Sequence, residues 1–248
     1  MLFFVPLVLI PVITNGGSIR PSIPPTVGGN AIYDPVENEV VVDVVGESKC
    51  PDTTRFIFNQ LLPAFKKFWS RLRINYHPYG PFKYTACSKN QNGGTECTCQ
   101  HGPDECRKNA LQACVIDALP EAGDYMDIVA CIQGPHSFNN SIENCILSGP
   151  FGGRLNQNKI VQCATGDKGM ILMDQHGASV RQFAQNVNWV SSHELINWLS
   201  DFLRRDWFQV PWISIEGLRI PAAEKHLEEV LCYQYFQPQP IECQTLRA

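Results

Sequence analysis

The sequence has little net charge and no long apolar run in its interior, and each shortage excludes a class of partner. The 248-residue chain carries 20 Lys and Arg against 24 Asp and Glu, which gives a formal net charge of −4. No basic excess is present to neutralise phosphates, so we expect no nucleic-acid partner. After Thr14 no run is long and apolar enough for a membrane helix, so we expect no membrane span.

The N-terminal region predicts a signal peptide, residues 1–17, followed by an extended leader, residues 18–38. The chain starts with an apolar run of roughly a dozen residues, which is too short to span a bilayer and typical of a signal peptide. A buried N-terminal strand is the alternative. The leader is rich in Pro and Gly, which disfavours helix. In a protein of the secretory route, Asn139-Asn140-Ser141 is an N-glycosylation acceptor, with the glycan on Asn139.

Cysteine is abundant: the chain has eleven. Behind a signal peptide, such a number indicates disulfides rather than free thiols. Since eleven is odd, at least one cysteine has no partner within the chain, and Cys50 is our candidate. The other ten are predicted structural cysteines that can form five disulfides, whose pairing the sequence leaves open. They are Cys87, Cys97, Cys99, Cys106, Cys114, Cys131, Cys145, Cys163, Cys232 and Cys243.

Cys50 stands between a predicted strand and a predicted helix. Residues 39–45 are mostly Val and predict a buried strand, and apolar residues at helical spacing follow Cys50, with Pro63 expected to kink that helix. A second strand is predicted at 73–79. Unpaired N–H groups at a helix N-terminus stabilise a thiolate, so we predict a reactive thiol that is open to solvent. The alternative is a cysteine that is merely unpaired, or bridged to another chain.

Together with the remaining patterns, these elements predict an α/β fold for a domain of residues 39–243. The predicted fold is a thioredoxin-like core with a disulfide-rich helical insertion. The insertion is predicted at about 85–150, because six of the eleven cysteines fall between Cys87 and Cys131 and a helical pattern lies in the same stretch. A further helix is predicted at 159–175. Near the C-terminus we expect a strand at 210–215, a turn at Glu216-Gly217, a short strand at 218–220 and a closing helix at 222–236.

One stretch carries a family resemblance, and it reads Cys-Gln-His-Gly-Pro-Asp-Glu-Cys-Arg-Lys-Asn-Ala-Leu-Gln-Ala-Cys from Cys99 to Cys114. It resembles the signature of the gamma-interferon-inducible lysosomal thiol reductase (GILT) family. Further similar stretches are Tyr76-His-Pro-Tyr-Gly80, Cys163 to Met173 and Val210-Pro211-Trp212. The resemblance implies a secreted or lysosomal thiol oxidoreductase with a thioredoxin-like core. It also implies that Pro211 is a cis-proline facing the substrate; an ordinary edge-strand proline is the alternative.

The chain departs from the family at Thr53. Where the family carries a redox pair of cysteines, this chain reads Cys50-Pro51-Asp52-Thr53. A threonine hydroxyl can donate a hydrogen bond to the Cys50 thiolate, but it cannot attack a mixed disulfide. Three outcomes remain open: an external small thiol resolves the mixed disulfide, another internal cysteine substitutes, or catalysis is lost.

The resemblance and the residues together predict reduction or isomerisation of disulfides in protein substrates, with Cys50 as nucleophile. A small thiol is the expected electron donor, and no metal or organic cofactor is expected. The alternatives are a catalytically silent module that binds unfolded or cysteine-containing chains, and a secreted structural domain bridged through Cys50.

Two further features have competing interpretations. Cys97, Cys99, His101 and Cys106 could bind zinc, but the secretory route favours disulfides. We therefore expect His101 and Glu105, four residues apart, to pair on one helical face next to the site, with Gly102 allowing a turn. Residues 186–208 form an insertion that the family lacks. It is either an amphipathic helix that acts as a lid or partner surface, or an intron that was wrongly retained in the gene model as coding sequence.

Overall fold

The structure, a computed structural model, describes residues 37–151, 153–185 and 209–247. The predicted signal peptide, the leader as far as residue 36 and the insertion at 186–208 lie outside these residues. The strands are β1 Val40–Gly46, β2 Leu72–Pro78, β3 Ala86–Lys89, β4 Thr95–Thr98, β5 Trp212–Ile215 and β6 Leu218–Arg219. The helices are α1 Pro51–Phe56, α2 Leu62–Phe68, α3 Pro103–Ala118, α4 Ala122–Ile132, α5 Phe138–Ser141, α6 Gln157–Thr165, α7 Asp167–Gln185 and α8 Ala223–Val230. Shorter helical segments are π-helical Ile57–Leu61, Ile142–Leu147 and Leu231–Tyr235, and a 3-10 helix at Ile241–Arg247.

Within the described residues, the central sheet has four strands in the order β2-β1-β5-β6. β1 runs parallel to β2, and β5 runs antiparallel to both β1 and β6. A parallel β-α-β unit followed by an antiparallel hairpin and a closing helix is the thioredoxin-like topology, so the predicted α/β fold class is confirmed. β1 lies between β2 and β5. Its valines are fully buried there: Val40, Val42, Val44 and Val45.

α1 and α2 form one continuous helical stretch that accommodates Pro63. Pro63 has no N–H to donate to the Asn59 carbonyl, and its ring crowds that carbonyl. A widened π-helical turn, Ile57–Leu61, lies directly before it and contains Asn59. Such a turn relaxes the regular i to i−4 ladder at this point. The helix therefore continues to Phe68, and β2 follows it in the chain.

The insertion is helical and disulfide-bonded as predicted, but it begins with a hairpin that we did not predict. β3 and β4 pair antiparallel, with Cys87 directly opposite Cys97. The Asn90 side chain closes the hairpin loop, since its carbonyl accepts from the N–H groups of Asn92 and Gly94. These strands are only four residues each and largely exposed. Such short, polar strands lack the apolar alternation on which a sequence prediction depends.

The prediction of a single helix at 159–175 is wrong, because two helices, α6 and α7, meet there at Gly166. The Gly166 N–H donates to the Gln162 and Cys163 carbonyls and ends α6. A Cβ at this position would lie 2.9 Å from the Gln162 carbonyl oxygen, so only glycine fits the close approach.

Ten cysteines form five disulfides, and Cys50 alone among the eleven is free. The pairs are Cys87–Cys97, Cys99–Cys106, Cys114–Cys163, Cys131–Cys145 and Cys232–Cys243. Because Cys97, Cys99 and Cys106 are all oxidised, they cannot supply thiolates to a zinc ion. In the described part of the chain, no helix combines the length and apolarity that crossing a membrane requires.

Candidate active site

Cys50 caps the N-terminus of α1. Its backbone is extended, with φ −66° and ψ 124°, while Pro51 opens the helix. Pro fits this position because the first-turn N–H groups have no partner within the helix. The sulfur therefore lies beside the positive end of the helix dipole. Our prediction of a thiol open to solvent is wrong, since Cys50 is only 7% exposed.

The loop before β5 covers the Cys50 sulfur. Val210 is 160 residues away in sequence, and its carbonyl accepts a hydrogen bond from the thiol, with Sγ and O 3.8 Å apart. The peptide bond between Val210 and Pro211 is cis, and Pro211 is buried. Val210 and Trp212 belong to the same small apolar cluster as Cys50 and Tyr79. The fold thus brings the two sequence-predicted positions, Cys50 and Pro211, to one place.

Thr53 lies one turn into the helix and is fully buried. Its hydroxyl oxygen has no hydrogen-bond partner among the described residues, so the predicted bond from Thr53 to the Cys50 sulfur is not formed. The side chain packs instead against the end of β1. A Cβ on Gly46 would lie 2.4 Å from Thr53 Cγ2 and 2.8 Å from Tyr76 Oη. Glycine at the end of β1 thus makes room for both side chains.

The N-terminal half of α3 holds the loop that leads from β1 to Cys50. The Ser48 N–H donates to Asn109 Oδ1 at 2.8 Å. The Ser48 hydroxyl donates to the Glu105 carbonyl at 3.3 Å. Lys49 forms an ion pair with Asp104 at 3.2 Å. Glu105 and Asn109 belong to the family-like stretch, so this stretch has the scaffold role that we predicted for it.

A second set of hydrogen bonds, which the sequence did not reveal, holds the same loop from the other side. Gln133 Nε2 donates to the Glu47 carbonyl at 2.8 Å, and the Gly134 N–H donates to the Ser48 carbonyl at 2.8 Å. Lys108 is fully buried, and its ammonium donates to the carbonyls of Gly134 and His136. A lysine or glutamine gives no sign in sequence that it will be buried, because both are usually exposed.

His101 and Glu105 interact, although not on one helical face as predicted, since His101 precedes the helix. Gly102 lies between them with φ +86°, a value that glycine adopts readily. Glu105 accepts from the His101 N–H at 2.9 Å through Oε1 and contacts His101 Nδ1 at 2.6 Å through Oε2. Glu105 also belongs to the first turn of α3, where negative charge is favoured.

Glu47 is a buried carboxyl that sequence reasoning missed. It directly follows β1 and is fully buried. Its Oε1 accepts from the Thr85 hydroxyl at 3.1 Å, whereas Oε2 has no hydrogen-bond partner in the described residues. Burial, and then repulsion from Glu105, raises the pKa of Glu47 to about 8. A side chain at Gly80 would collide with this carboxyl, since a Cβ there would lie 1.8 Å from Oε1.

Asn139, the predicted glycosylation position, is exposed on α5. The preceding Ser137 caps this short helix by accepting from the Asn140 N–H. A glycan on Asn139 would therefore displace no buried side chain.

Comparison with known proteins places this site in a family. The sequence profile described as gamma interferon inducible lysosomal thiol reductase (GILT) matches residues 41–149. A GILT-like protein of Caenorhabditis elegans is 35% identical over 83% of this chain and 85% of its own length. A gamma-interferon-inducible lysosomal thiol reductase of Carassius auratus is 27% identical over 82% of this chain and 72% of its own.

Among solved structures, the DsbA of Chlamydia trachomatis is similar at a TM-score of 0.47 and 13% identity, over 80% of this chain and 88% of that one. The family assignment depends on the sequence relatives, whose similarity extends well beyond the stretch around Cys99 to Cys114. The chain belongs to the gamma-interferon-inducible lysosomal thiol reductase family.

Proposed function

We propose that this protein reduces or isomerises disulfides in protein substrates through Cys50, with a small external thiol as electron donor. Family membership supports a thiol oxidoreductase in general. The observation that carries the specific proposal is that Cys50 alone of eleven cysteines is unpaired and caps α1. The disulfide-rich fold and the family support a secretory or lysosomal route, with Asn139 as the glycosylation position.

The proposed reaction has two exchange steps. The Cys50 thiolate attacks one sulfur of a substrate disulfide, so that one sulfur–sulfur bond forms, one breaks, and the other substrate sulfur leaves as a thiolate. The external thiol, as its thiolate, then attacks the mixed disulfide. If it attacks Cys50, the product is a disulfide between Cys50 and the small thiol, which a second small thiol reduces. In isomerisation, the released substrate thiolate attacks a second substrate disulfide and displaces a different thiolate. That thiolate attacks the substrate sulfur of the mixed disulfide, which forms a new substrate disulfide and releases the Cys50 thiolate.

Pro211 is proposed to position the substrate. Its neighbour Val210 already contacts the Cys50 sulfur, so a substrate segment that reaches the sulfur must also pass Pro211. No metal or organic cofactor takes part in these steps, because the electrons come from the small thiol. Thr53 contributes packing below the nucleophile rather than a second sulfur.

Reduction of insulin disulfides with a small thiol donor tests the proposal. We expect turnover above the uncatalysed background for the wild type and none for Cys50→Ser. Ser179→Ala, a change of one side-chain atom at an exposed position on α7, is the control and should leave turnover unchanged. A Cys50→Ser variant as active as the wild type would contradict the proposal.

Restoring the second cysteine gives a complementary test. Because Thr53 is buried one turn from Cys50, Thr53→Cys recreates the redox pair of the family, and the new sulfur can attack the mixed disulfide directly. We expect faster insulin reduction and a weaker dependence on the external thiol. Turnover that stays at background in both proteins would show that the rest of the site does not support exchange.

A catalytically silent binding module is the second candidate, and one observation favours it. Cys50 is 7% exposed and its thiol donates to the Val210 carbonyl. Ionisation would lose that hydrogen bond. Alkylation with iodoacetamide at acidic pH, followed by mass spectrometry, separates the two candidates: an enzyme labels rapidly at Cys50, whereas a silent module labels no faster than an ordinary free cysteine.

A further inference from the structure

We infer that Glu47, His101 and Glu105 form a binding site for one divalent metal ion, and that Zn²⁺ fits it. The inference does not depend on the proposed activity of Cys50, since none of the three residues belongs to the exchange steps. It concerns a structural ion beside the nucleophile loop.

The three side chains come from two separate parts of the chain. Glu47 follows β1, His101 precedes α3, and Glu105 lies in the first turn of α3. One ligand atom from each, a carboxylate oxygen or an imidazole nitrogen, lies within 4.8 Å of the other two. His101 Nδ1 is 2.6 Å from Glu105 Oε2 and 3.7 Å from Glu47 Oε2.

Each carboxylate is held by one oxygen and directs the other toward His101. Glu47 Oε1 accepts from the Thr85 hydroxyl, and Glu105 Oε1 accepts from the His101 N–H. The remaining oxygens, both named Oε2, are the ones nearest to the imidazole. This division matches the way in which metal-binding carboxylates are oriented by hydrogen bonds to their second oxygen.

The environment of the Glu47 Oε2 atom is the observation that indicates a bound ligand. It is buried, its residue is fully buried, and no donor in the described residues reaches it. A buried oxygen without a partner is costly, and the two neighbouring carboxyl groups repel each other when both are ionised. The neighbouring lysines are engaged elsewhere: Lys49 pairs with Asp104, and Lys108 donates to backbone carbonyls. A cation at this point satisfies both carboxylates.

The donor set and its access fit zinc. Zinc binds imidazole nitrogen and carboxylate oxygen at about 2.0–2.2 Å, and sites with three protein ligands keep a fourth position for water. In a tetrahedral site the ligand atoms are then about 3.3 Å apart. His101 must move away from Glu105 by less than about 1 Å to reach that spacing, and its side chain, 32% exposed, is the part of the site that borders solvent.

Metal-stripped protein titrated with Zn²⁺ near neutral pH, by calorimetry or equilibrium dialysis, tests the inference. We expect one zinc ion per chain and a rise in melting temperature on binding. Glu47→Gln keeps the size and the Thr85 hydrogen bond of the side chain but removes an anionic ligand, and should weaken binding by roughly 100-fold. Glu96→Gln, on the exposed hairpin, is the matched control and should bind as the wild type does.

Two further measurements keep the result interpretable. His101→Ala changes a partly exposed side chain, so it should fold and should also lose zinc even if Glu47→Gln does not fold. Substituting Co²⁺ reports the ligand type, and we expect a spectrum without thiolate-to-metal charge transfer. Absence of stoichiometric zinc binding, unchanged binding in both variants, or a thiolate band that disappears in Cys50→Ser would each overturn the inference.

Discussion

Thr53 is a hydroxyl in a fully buried position, without a partner in the described residues. A buried hydroxyl that makes no hydrogen bond costs about 1–3 kcal/mol. We therefore expect Thr53→Val, which keeps the shape and removes the polar atom, to raise the free energy of unfolding by about 1 kcal/mol. Chemical denaturation measures this change. A loss of stability would show that the hydroxyl has a partner, such as a buried water.

Two histidines, one on β2 and one on α7, give the protein an acid-sensitive contact. His176 on α7 lies against His77 on β2, with the two Nδ1 atoms 3.2 Å apart. Asp43 is 3.9 Å from His77 Nε2, and Asp117 on α3 is the other charged group that acts on His176. Burial, and then repulsion from His77, lowers the pKa of His176 from 6.5 to about 3.

This lowered pKa predicts a loss of stability in acid. Below pH 6.5 the unfolded chain binds a proton on His176 that the folded chain does not bind until about pH 3. The free energy of unfolding should therefore fall as the pH falls through this window, by at most about 1.4 kcal/mol per pH unit.

His176→Gln removes this titration, so the variant should lose less stability than the wild type between neutral and acidic pH. His136→Gln, an exposed histidine, is the control and should follow the wild type. Denaturation at a series of pH values measures the difference. Parallel curves for the wild type and His176→Gln would contradict the assignment.

At the scale of elements, the first turns of α3 hold the loop that leads to Cys50 in position. Asn109 is fully buried and accepts from the Ser48 N–H. Asn109→Ala leaves that N–H without a partner, so we expect a loss of about 1–3 kcal/mol in unfolding free energy. Because the loop then loses one of the hydrogen bonds that position it, the rate of Cys50 alkylation should also change.

Asn156→Ala is the matched control for Asn109→Ala. Asn156 caps α6 by accepting from the Lys159 N–H, and its loss should cost about 1 kcal/mol. It lies on a different element, so Cys50 alkylation should stay at the wild-type rate. If both variants change that rate equally, α3 has no special role in positioning the nucleophile.

The elements differ in how well the sequence predicts them. The ends of β1 and β2 were predicted within about one residue, and α1 was predicted directly after Cys50. A run of valines is typical of a buried strand, and apolar residues at helical spacing are typical of a helix. The β3–β4 hairpin was missed because its residues are polar and exposed. The break at Gly166 was missed because glycine inside a helical pattern is often tolerated; here a carbonyl approaches it too closely for any other residue.

At the scale of the whole molecule, the disulfides make unequal contributions. Cys114–Cys163 joins α3 to α6 across 49 residues, whereas Cys87–Cys97 spans 10 residues within one hairpin. Loop-closure entropy gives about 4 kcal/mol for the first and about 3 kcal/mol for the second. Replacing each pair by alanines and measuring thermal unfolding should show the larger loss for Cys114–Cys163. The reverse order would contradict the entropic account.

The candidate site is a whole-molecule property, and the sequence predicts only part of it. Cys50 and Pro211 could be picked out, because the odd cysteine count indicates an unpaired cysteine and the family resemblance indicates the role of the proline. The limited exposure of Cys50 and the convergence of Glu47 with His101 and Glu105 depend on residues that are distant in sequence. Neither can be inferred without the fold that brings them together.

The account depends on Cys50 as the nucleophile of a site with one sulfur, and trapping its covalent intermediate tests this most directly. Because position 53 carries no second cysteine, the protein cannot resolve a mixed disulfide with substrate by itself, and the adduct should persist until another thiol attacks it. We would incubate the protein with a disulfide-bonded peptide in the absence of small thiol and map the products by mass spectrometry. The account predicts a substrate peptide linked to Cys50 that a small thiol releases; a chain in which Cys50 remains a free thiol would contradict it.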